Sequence, residues 1–314
     1  MSLPKVTIVG AGQVGATSAH LLLLKGLADV VLTDVVDGIP QGKALDLLQA
    51  AAIEGQSAQV TGTTDLAVMA GSKLVVITAG LARKPGMSRD DLLAANAKIV
   101  GPIAEQIAAA APESLVIVVT NPLDVMTYLV VKETGFPRQR VLGMAGALDS
   151  GRLQAFLAQR LRVPPAQVSS MILGSHGDLM VPIRSSITVG GKPASSMLSA
   201  QELDQLLARA RDGGAEIVSL LKTSSAYYAP ASGVVSMIQA VLKNERRILP
   251  ASVLLEGEYG LREVCLGVPV ELASTGWTRV VEQPISDEER HALHRAASQV
   301  KEGIQVLVNA KASS

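Results

Sequence analysis

Two arginines, Arg83 and Arg89, lie six residues apart in AGLARKPGMSRDD, directly after the apolar run LVVIT. A polar, Gly- and Pro-containing loop carrying two fixed positive charges at the C-terminal end of a strand is suited to closing over a small anion, and two charges suggest a dicarboxylate. Near the N-terminus, VTIVGAGQVG sets Gly10, Gly12 and Gly15 in a GxGxxG pattern between a strand-like and a helical run. The first glycine permits a tight turn, the second lets backbone approach a pyrophosphate, and the third allows helix and strand to pack. The helix N-terminus then offers N–H donors to phosphate. Asp34 closes the next strand-like run, where a carboxylate accepts hydrogen bonds from an adenosine ribose and repels a 2′-phosphate, favouring NAD over NADP. A glycine-rich turn and a strand-end aspartate are the plain alternatives. Their joint placement in one strand–helix–strand unit favours the cofactor site.

Of the four histidines, His176 stands out, because GSHGD flanks it with small residues at the end of the strand-like MILG. A turn residue is the equal alternative for a lone histidine in such a loop. His20 falls on the apolar face of the first helix and is expected to be packed, while His291 and His294 are expected to be solvated on the last helix; none of the three needs a metal. Asp149 and Arg152 in ALDSGRL are three residues apart at a helix start and share a face. A helix cap and a surface arginine are their ordinary alternatives. By spacing alone, Arg83, Lys84 and Arg89 also read as a solvated cluster balanced by Asp90 and Asp91.

The elements that must position these residues follow from the pattern of the chain. Its 314 residues suffice for two domains. Short β-branched runs, Val6–Val9, Val30–Thr33, Gln59–Gly62, Leu74–Thr78, Leu115–Thr120 and Val141–Met144, alternate with helical stretches such as Pro40–Ile53 and Asp90–Ala110. That alternation predicts an α/β fold: a doubly wound parallel sheet of the Rossmann type over residues 1–145. Residues 146–314 read as a mixed α+β domain with a helix from about Ser150 to Leu161, a GGK turn and a helical region from Ala200 to Lys243 interrupted near Pro230. Strand runs SVLLEG and EVCLGVPVELAS follow, then a final helix, Asp287–Asn309, capped by Ser286 or Asp287 with Glu289 as box partner. Trp277, in STGW, is expected on a surface turn and is assigned no role. Acidic and basic residues balance at 28 each, so no global field recruits nucleic acid or a membrane surface. No apolar run reaches membrane-helix length, no secretory signal is recognisable, and the single Cys265 fits a reducing compartment, so a cytoplasmic location is expected.

GAGQVG with Asp34, ARKPGMSR, TNP at Thr120–Pro122, LDSGR and GSHGD occur in the order and approximate spacing seen in the lactate and malate dehydrogenases, and the chain resembles that family from Val6 to the final helix. Within it, the similarity is greatest to the lactate-dehydrogenase-like bacterial malate dehydrogenases, because Arg83 stands where lactate enzymes usually carry glutamine. The resemblance implies NAD as cofactor, bound by Gly10, Gly12, Gly15, Asp34, Asn96, Thr120 and Asn121, and malate and oxaloacetate as substrates. It implies His176 as proton donor and base, Asp149 as its partner, and Arg152 as the fork holding the carboxylate beside the reacting carbon. Arg89 would polarise the carbonyl and Arg83 would neutralise the distal carboxylate, while Asn121 would hydrogen-bond substrate or nicotinamide ribose. Ala226, near the position of a pocket threonine in lactate enzymes, would leave room for the larger substrate. No metal is implied, and a homodimer or homotetramer is.

Two rival readings remain at this stage. A lactate or broad 2-hydroxy-acid dehydrogenase would share the machinery but leave Arg83 unpaired, at about 2–5 kcal/mol in a dry site. A non-catalytic NAD-binding protein would have no use for the proton relay.

Overall fold

The computed structural model describes residues 3–82 and 86–312, with backbone only for residues 310–312; Arg83 therefore lies outside the described residues. The first half alternates as the pattern predicts: β1 Lys5–Val9, α1 Gln13–Leu24, β2 Asp29–Thr33, α2 Ile39–Ile53, β3 Val60–Thr63, β4 Leu74–Ile77, α3 Arg89–Ala110, β5 Leu115–Val118, α4 Leu123–Thr134 and β6 Val141–Gly143. These six strands pair in parallel in the order 3-2-1-4-5-6. β4 and β5 are buried at every residue, as strands covered by helices on both faces must be. The strand order reverses between β1 and β4, which opens a crevice beyond their C-terminal ends.

The second half comprises α5 Gly146–Leu161, β7 Val168–Ser169, β8 Ile172–Gly174, β9 Met180–Pro182, β10 Thr188–Val189, β11 Lys192–Pro193, α6 Ala200–Leu221, α7 Tyr228–Leu242, β12 Arg247–Glu256, β13 Arg262–Ala273, β14 Gly276–Val280 and α8 Asp287–Ala312. It does not form a separate sheet throughout. β12 pairs antiparallel with β6 through Ser252 and Gly143, so among the described residues one eleven-stranded sheet runs from β3 through β6 into β12, β13, β8 and β9, with β14 added alongside β13. β7, β10 and β11 make a small second sheet, with a smaller apolar cluster built from Leu153, Leu157, Val189 and Leu207.

Four local expectations are corrected. The α6–α7 break falls at residues 222–227, where Lys222 adopts φ 64°, while Pro230 sits in the first turn of α7, where no helical N–H partner is lost. α5 begins at Gly146, four residues early, because its start at Ala145 carries no side-chain cap to mark it. Trp277 is 2% exposed: its Nε1 donates to the Arg138 carbonyl at 2.8 Å and the Arg138 guanidinium lies 4.9 Å from its ring. His294 is half-buried with its Nε2 3.0 Å from the Tyr259 carbonyl, whereas His291 is exposed as expected. His20 is half-buried and lines a cleft of about 320 Å³ between α1, α2 and the start of α7. The capping box at Ser286 and Glu289 forms, with bonds of 2.8 and 3.2 Å. No described helix is long and apolar enough to cross a membrane.

Candidate active site

The glycine loop leaves β1 at the crevice. Gly10 has φ +113°, and a Cβ there would lie 2.5 Å from the Ala79 amide nitrogen; a Cβ on Gly15 would lie 2.0 Å from the Gly10 carbonyl oxygen. Neither position tolerates a side chain. Gly12 is the opposite case, since a Cβ there meets nothing within 4 Å. Its openness, together with an α1 N-terminus lacking any side-chain cap, leaves first-turn N–H groups facing outward for an anion. Asp34 accepts from the Ala11 N–H at 2.8 Å and the Val36 N–H at 3.2 Å, one bond on each oxygen, which leaves lone pairs for a ribose. The Ala11 carbonyl in turn accepts from Lys43 Nζ at 2.6 Å. Lys43, on α2, was not singled out in the sequence, where it looks like an ordinary helix-surface lysine.

Asn96, Thr120 and Asn121 occupy two different settings. Asn96 is fully buried and its amide is committed: Nδ2 donates to the carbonyls of Asn121 at 2.6 Å and Leu81 at 3.1 Å, and Oδ1 accepts from the Leu81 N–H at 2.7 Å. Thr120 is 6% exposed and donates to the Ala79 carbonyl at 2.6 Å. These two side chains tie the loop after β4 to the loop after β5, placing them behind the crevice wall. Asn121, joined to Pro122 by a cis peptide, is exposed on that wall.

His176 lies between β8 and β9, flanked by Gly174 and Gly177 in left-handed conformation. Its Nδ1 is 2.9 Å from Asp149 Oδ2, and Arg152 Nη1 donates to Asp149 Oδ1 at 3.3 Å, so one carboxylate serves both groups, an oxygen each. Because α5 starts early, Asp149 is inside the first turn and does not cap it. Ser150 locks this helix to β8, accepting from the Ile172 N–H at 3.1 Å through Oγ and from the Ser170 hydroxyl at 3.2 Å through its carbonyl. The side chains of Asp149, Arg152 and His176 are 4%, 13% and 21% exposed, so the three form a nearly dry cluster open on the imidazole side. Burial opposes a charge on His176, but the Asp149 charge and hydrogen bond outweigh it; Arg152 subtracts, Asp124 adds, and the imidazole is raised above its ordinary value of 6.5.

A second acid, Asp124, was missed in the sequence. It is 3% exposed on α4 and accepts from Ser252 Oγ at 2.7 Å, Ser175 Oγ at 2.8 Å and the His176 N–H at 3.3 Å, anchoring the histidine loop from behind. Burial raises its carboxyl above the usual range, and the two serine bonds offset part of that. The available signal was an acid inside the apolar run LDVMTYLVV.

Arg89 is the first residue of α3, behind a capping box formed by Ser88 and Asp91. Its guanidinium pairs with Asp178, two residues beyond His176, at 2.5 Å, with the side chains 58% and 77% exposed. The structure thus brings Arg89 to the rim of the histidine cluster and not into it. Such an exposed pair is worth about 0–1 kcal/mol and is readily exchanged for another partner. Ala226 is half-buried in the segment between α6 and α7.

Known proteins are similar to this chain in sequence and fold. The model for the lactate/malate dehydrogenase NAD-binding domain matches residues 4–143, and that for the family's alpha/beta C-terminal domain matches residues 146–310. The malate dehydrogenase of Nostoc punctiforme is 53% identical over 304 residues, covering 97% of this chain and 93% of that protein. Among solved structures, Cryptosporidium parvum malate dehydrogenase superposes with a TM-score of 0.95 at 41% identity, covering 98% of this chain and 99% of that one. Lactate dehydrogenase from the same organism, solved with lactic acid and nicotinamide adenine dinucleotide, superposes at 0.95 with 37% identity and the same coverage. With the two family models matched in succession over residues 4–143 and 146–310 and a relative 53% identical over 97% of the chain, the chain belongs to the lactate/malate dehydrogenase family.

Proposed function

We propose that this chain is an NAD-dependent malate dehydrogenase, interconverting malate with NAD and oxaloacetate with NADH. The observation that carries the reading is the sharing of Asp149 between His176 and Arg152, which sets a proton-transfer group beside a carboxylate fork. NAD fits the crevice: the open face at Gly12 accepts pyrophosphate and Asp34 accepts the ribose hydroxyls. When bound, the nicotinamide supplies or receives the hydride at the substrate carbon.

The chain's own residues do the rest. Arg152 holds the carboxylate next to the reacting carbon and so fixes the distance and face of attack. His176, doubly protonated, gives the proton at Nε2 to the developing alkoxide, and in the reverse direction neutral Nε2 takes it from the hydroxyl. Asp149 keeps Nδ1 protonated in both directions and stabilises the imidazolium. Arg89 leaves Asp178 to meet the carbonyl oxygen, Asn121 bonds substrate or nicotinamide ribose, and Arg83 pairs with the distal carboxylate. Asn96 and Thr120 act by holding the loops that carry these groups. The division near residue 145 separates the cofactor-binding from the substrate-binding half.

A homodimer or homotetramer accounts for the apolar side chains exposed on α2 and the start of α7, including Ile39, Leu45, Leu48 and Tyr228. A cytoplasmic location accords with the lone, buried Cys265. The direct test is NADH formation from malate and NAD by the purified chain and by His176→Asn. Malate-dependent formation that is lost in the variant while NADH still binds supports the reading; turnover surviving in the variant contradicts it.

A further inference from the structure

The middle of α6 breaks a local rule. Gly213 and Gly214 stand in sequence inside a 22-residue helix, although glycine is the poorest helix former after proline. Neither has a positive φ that would require glycine. Their surroundings supply the reason. A Cβ on Gly213 would lie 3.2 Å from Arg152 Cδ and 3.5 Å from its Nε, and a Cβ on Gly214 would lie 3.4 Å from Nη2. Arg152 cannot retreat freely, because Asp149 holds Nη1 at 3.3 Å and Asp149 is itself bonded to His176. The Arg152 Nε is buried with no hydrogen-bond partner among the described residues. The guanidinium therefore lies between an acid that uses one of its nitrogens and a bare helix backbone set against the donors that remain.

We propose that Gly213 and Gly214 are positioning residues: together they form the seat that sets the depth of the Arg152 guanidinium, and so the place at which the substrate carboxylate is gripped. The proposal rests on the reading of Arg152 as that grip. A Cβ at Gly213 pushes the Arg152 side chain by a few tenths of an ångström, a Cβ at Gly214 comes into van der Waals contact with Nη2 and crowds that donor, and a two-pronged pair is sensitive to such changes. Neither Asp149 nor His176 is among the atoms nearest a Cβ at Gly213 or Gly214, whereas Arg152 is, so substrate binding suffers more than proton transfer.

Gly213→Ala, Gly214→Ala, Arg152→Ala and the two double variants separate the possibilities. Steady-state kinetics with oxaloacetate, NADH binding and thermal unfolding are measured on each. We expect each glycine variant to raise KM for oxaloacetate about three- to tenfold with a smaller change in kcat. NADH affinity stays unchanged and Tm is not lowered, since alanine is the better helix former. In the Arg152→Ala background the same substitutions have no further effect, because the group they displace is gone. Unchanged KM in both glycine variants, or losses that persist undiminished without Arg152, overturn the seat. If Gly213→Ala does not fold, half-exposed Gly214 decides alone. An Arg152→Ala enzyme with normal KM instead refutes the grip itself, a different failure.

Discussion

Replacing Asp149 by Asn changes one heavy atom but two contacts. The side chain is 4% exposed, with Oδ2 2.9 Å from His176 Nδ1 and Oδ1 3.3 Å from Arg152 Nη1. If the new carbonyl faces His176, the new amide faces the guanidinium, donor against donor. If the amide faces His176, Nδ1 must become the acceptor, and the proton moves to Nε2, where malate oxidation needs a free lone pair. At an effective dielectric of about 20, unit charges about 3–4 Å apart attract by roughly 4–5 kcal/mol. Part of this is offset by taking both groups from water, so a net loss of about 3–5 kcal/mol is expected. That is a kcat lower by about 10²- to 10⁴-fold at 1.36 kcal/mol per factor of ten. NADH binding should barely change, because the glycine loop and Asp34 sit on other elements. The assay is kcat for malate oxidation alongside an NADH fluorescence titration on Asp149→Asn. A loss under tenfold in a folded variant, or a parallel loss of NADH affinity, refutes the proton-relay account.

Three further outcomes follow from the same geometry. Because reduction uses protonated His176 and its pKa is raised, kcat/KM for oxaloacetate should stay level through pH 6.5 and fall only as pH rises through the higher value; in Asp149→Asn the fall should move to lower pH. Asp124→Ala strands the His176 N–H and two serine hydroxyls and should cost about 2–4 kcal/mol in denaturant unfolding, whereas Asp124→Asn can keep all three bonds by reorienting Ser252. The Asn variant should stay within about 1 kcal/mol while lowering the His176 pKa. Trp277→Ala should destabilise by about 3–5 kcal/mol with normal kinetics, since Trp277 packs on Arg138 far along the sheet from His176.

The parts legible in the sequence were those whose signal is local. β-branched runs gave the six parallel strands, glycines beside Val9 and His176 marked backbone that must turn tightly at strand ends, and the charges of Asp34, after β2, and of Asp149 and Arg152, near the start of α5, stood out beside them. What stayed hidden depends on partners far along the chain. Asp124 meets Ser252 across 128 residues, and without that contact an acid in α4 looks merely like a break in an apolar run. Asn96 and Thr120 were expected to touch the cofactor; that their side chains also tie loops together, to Leu81 and Asn121 for one and Ala79 for the other, depends on partners no local pattern marks. The α5 start escaped because Ala145 cannot cap a helix through its side chain, and Trp277 escaped because the β13–β14 pairing that buries it leaves no periodic trace in STGW. Gly213 and Gly214 were not singled out in the helical run from Ala200, because their meaning required Arg152 from another helix.

The central claim is that this site is built for a dicarboxylate, and the most direct measurement compares kcat/KM for oxaloacetate and for pyruvate, both with NADH. With pyruvate, the Arg83 charge would have nothing to pair with, at about 2–5 kcal/mol in a closed site. The account predicts that oxaloacetate is preferred by about two orders of magnitude or more, and that Arg83→Gln erases most of the preference. Pyruvate turned over as well as oxaloacetate would contradict it and assign the chain to the lactate or broad 2-hydroxy-acid side of the family.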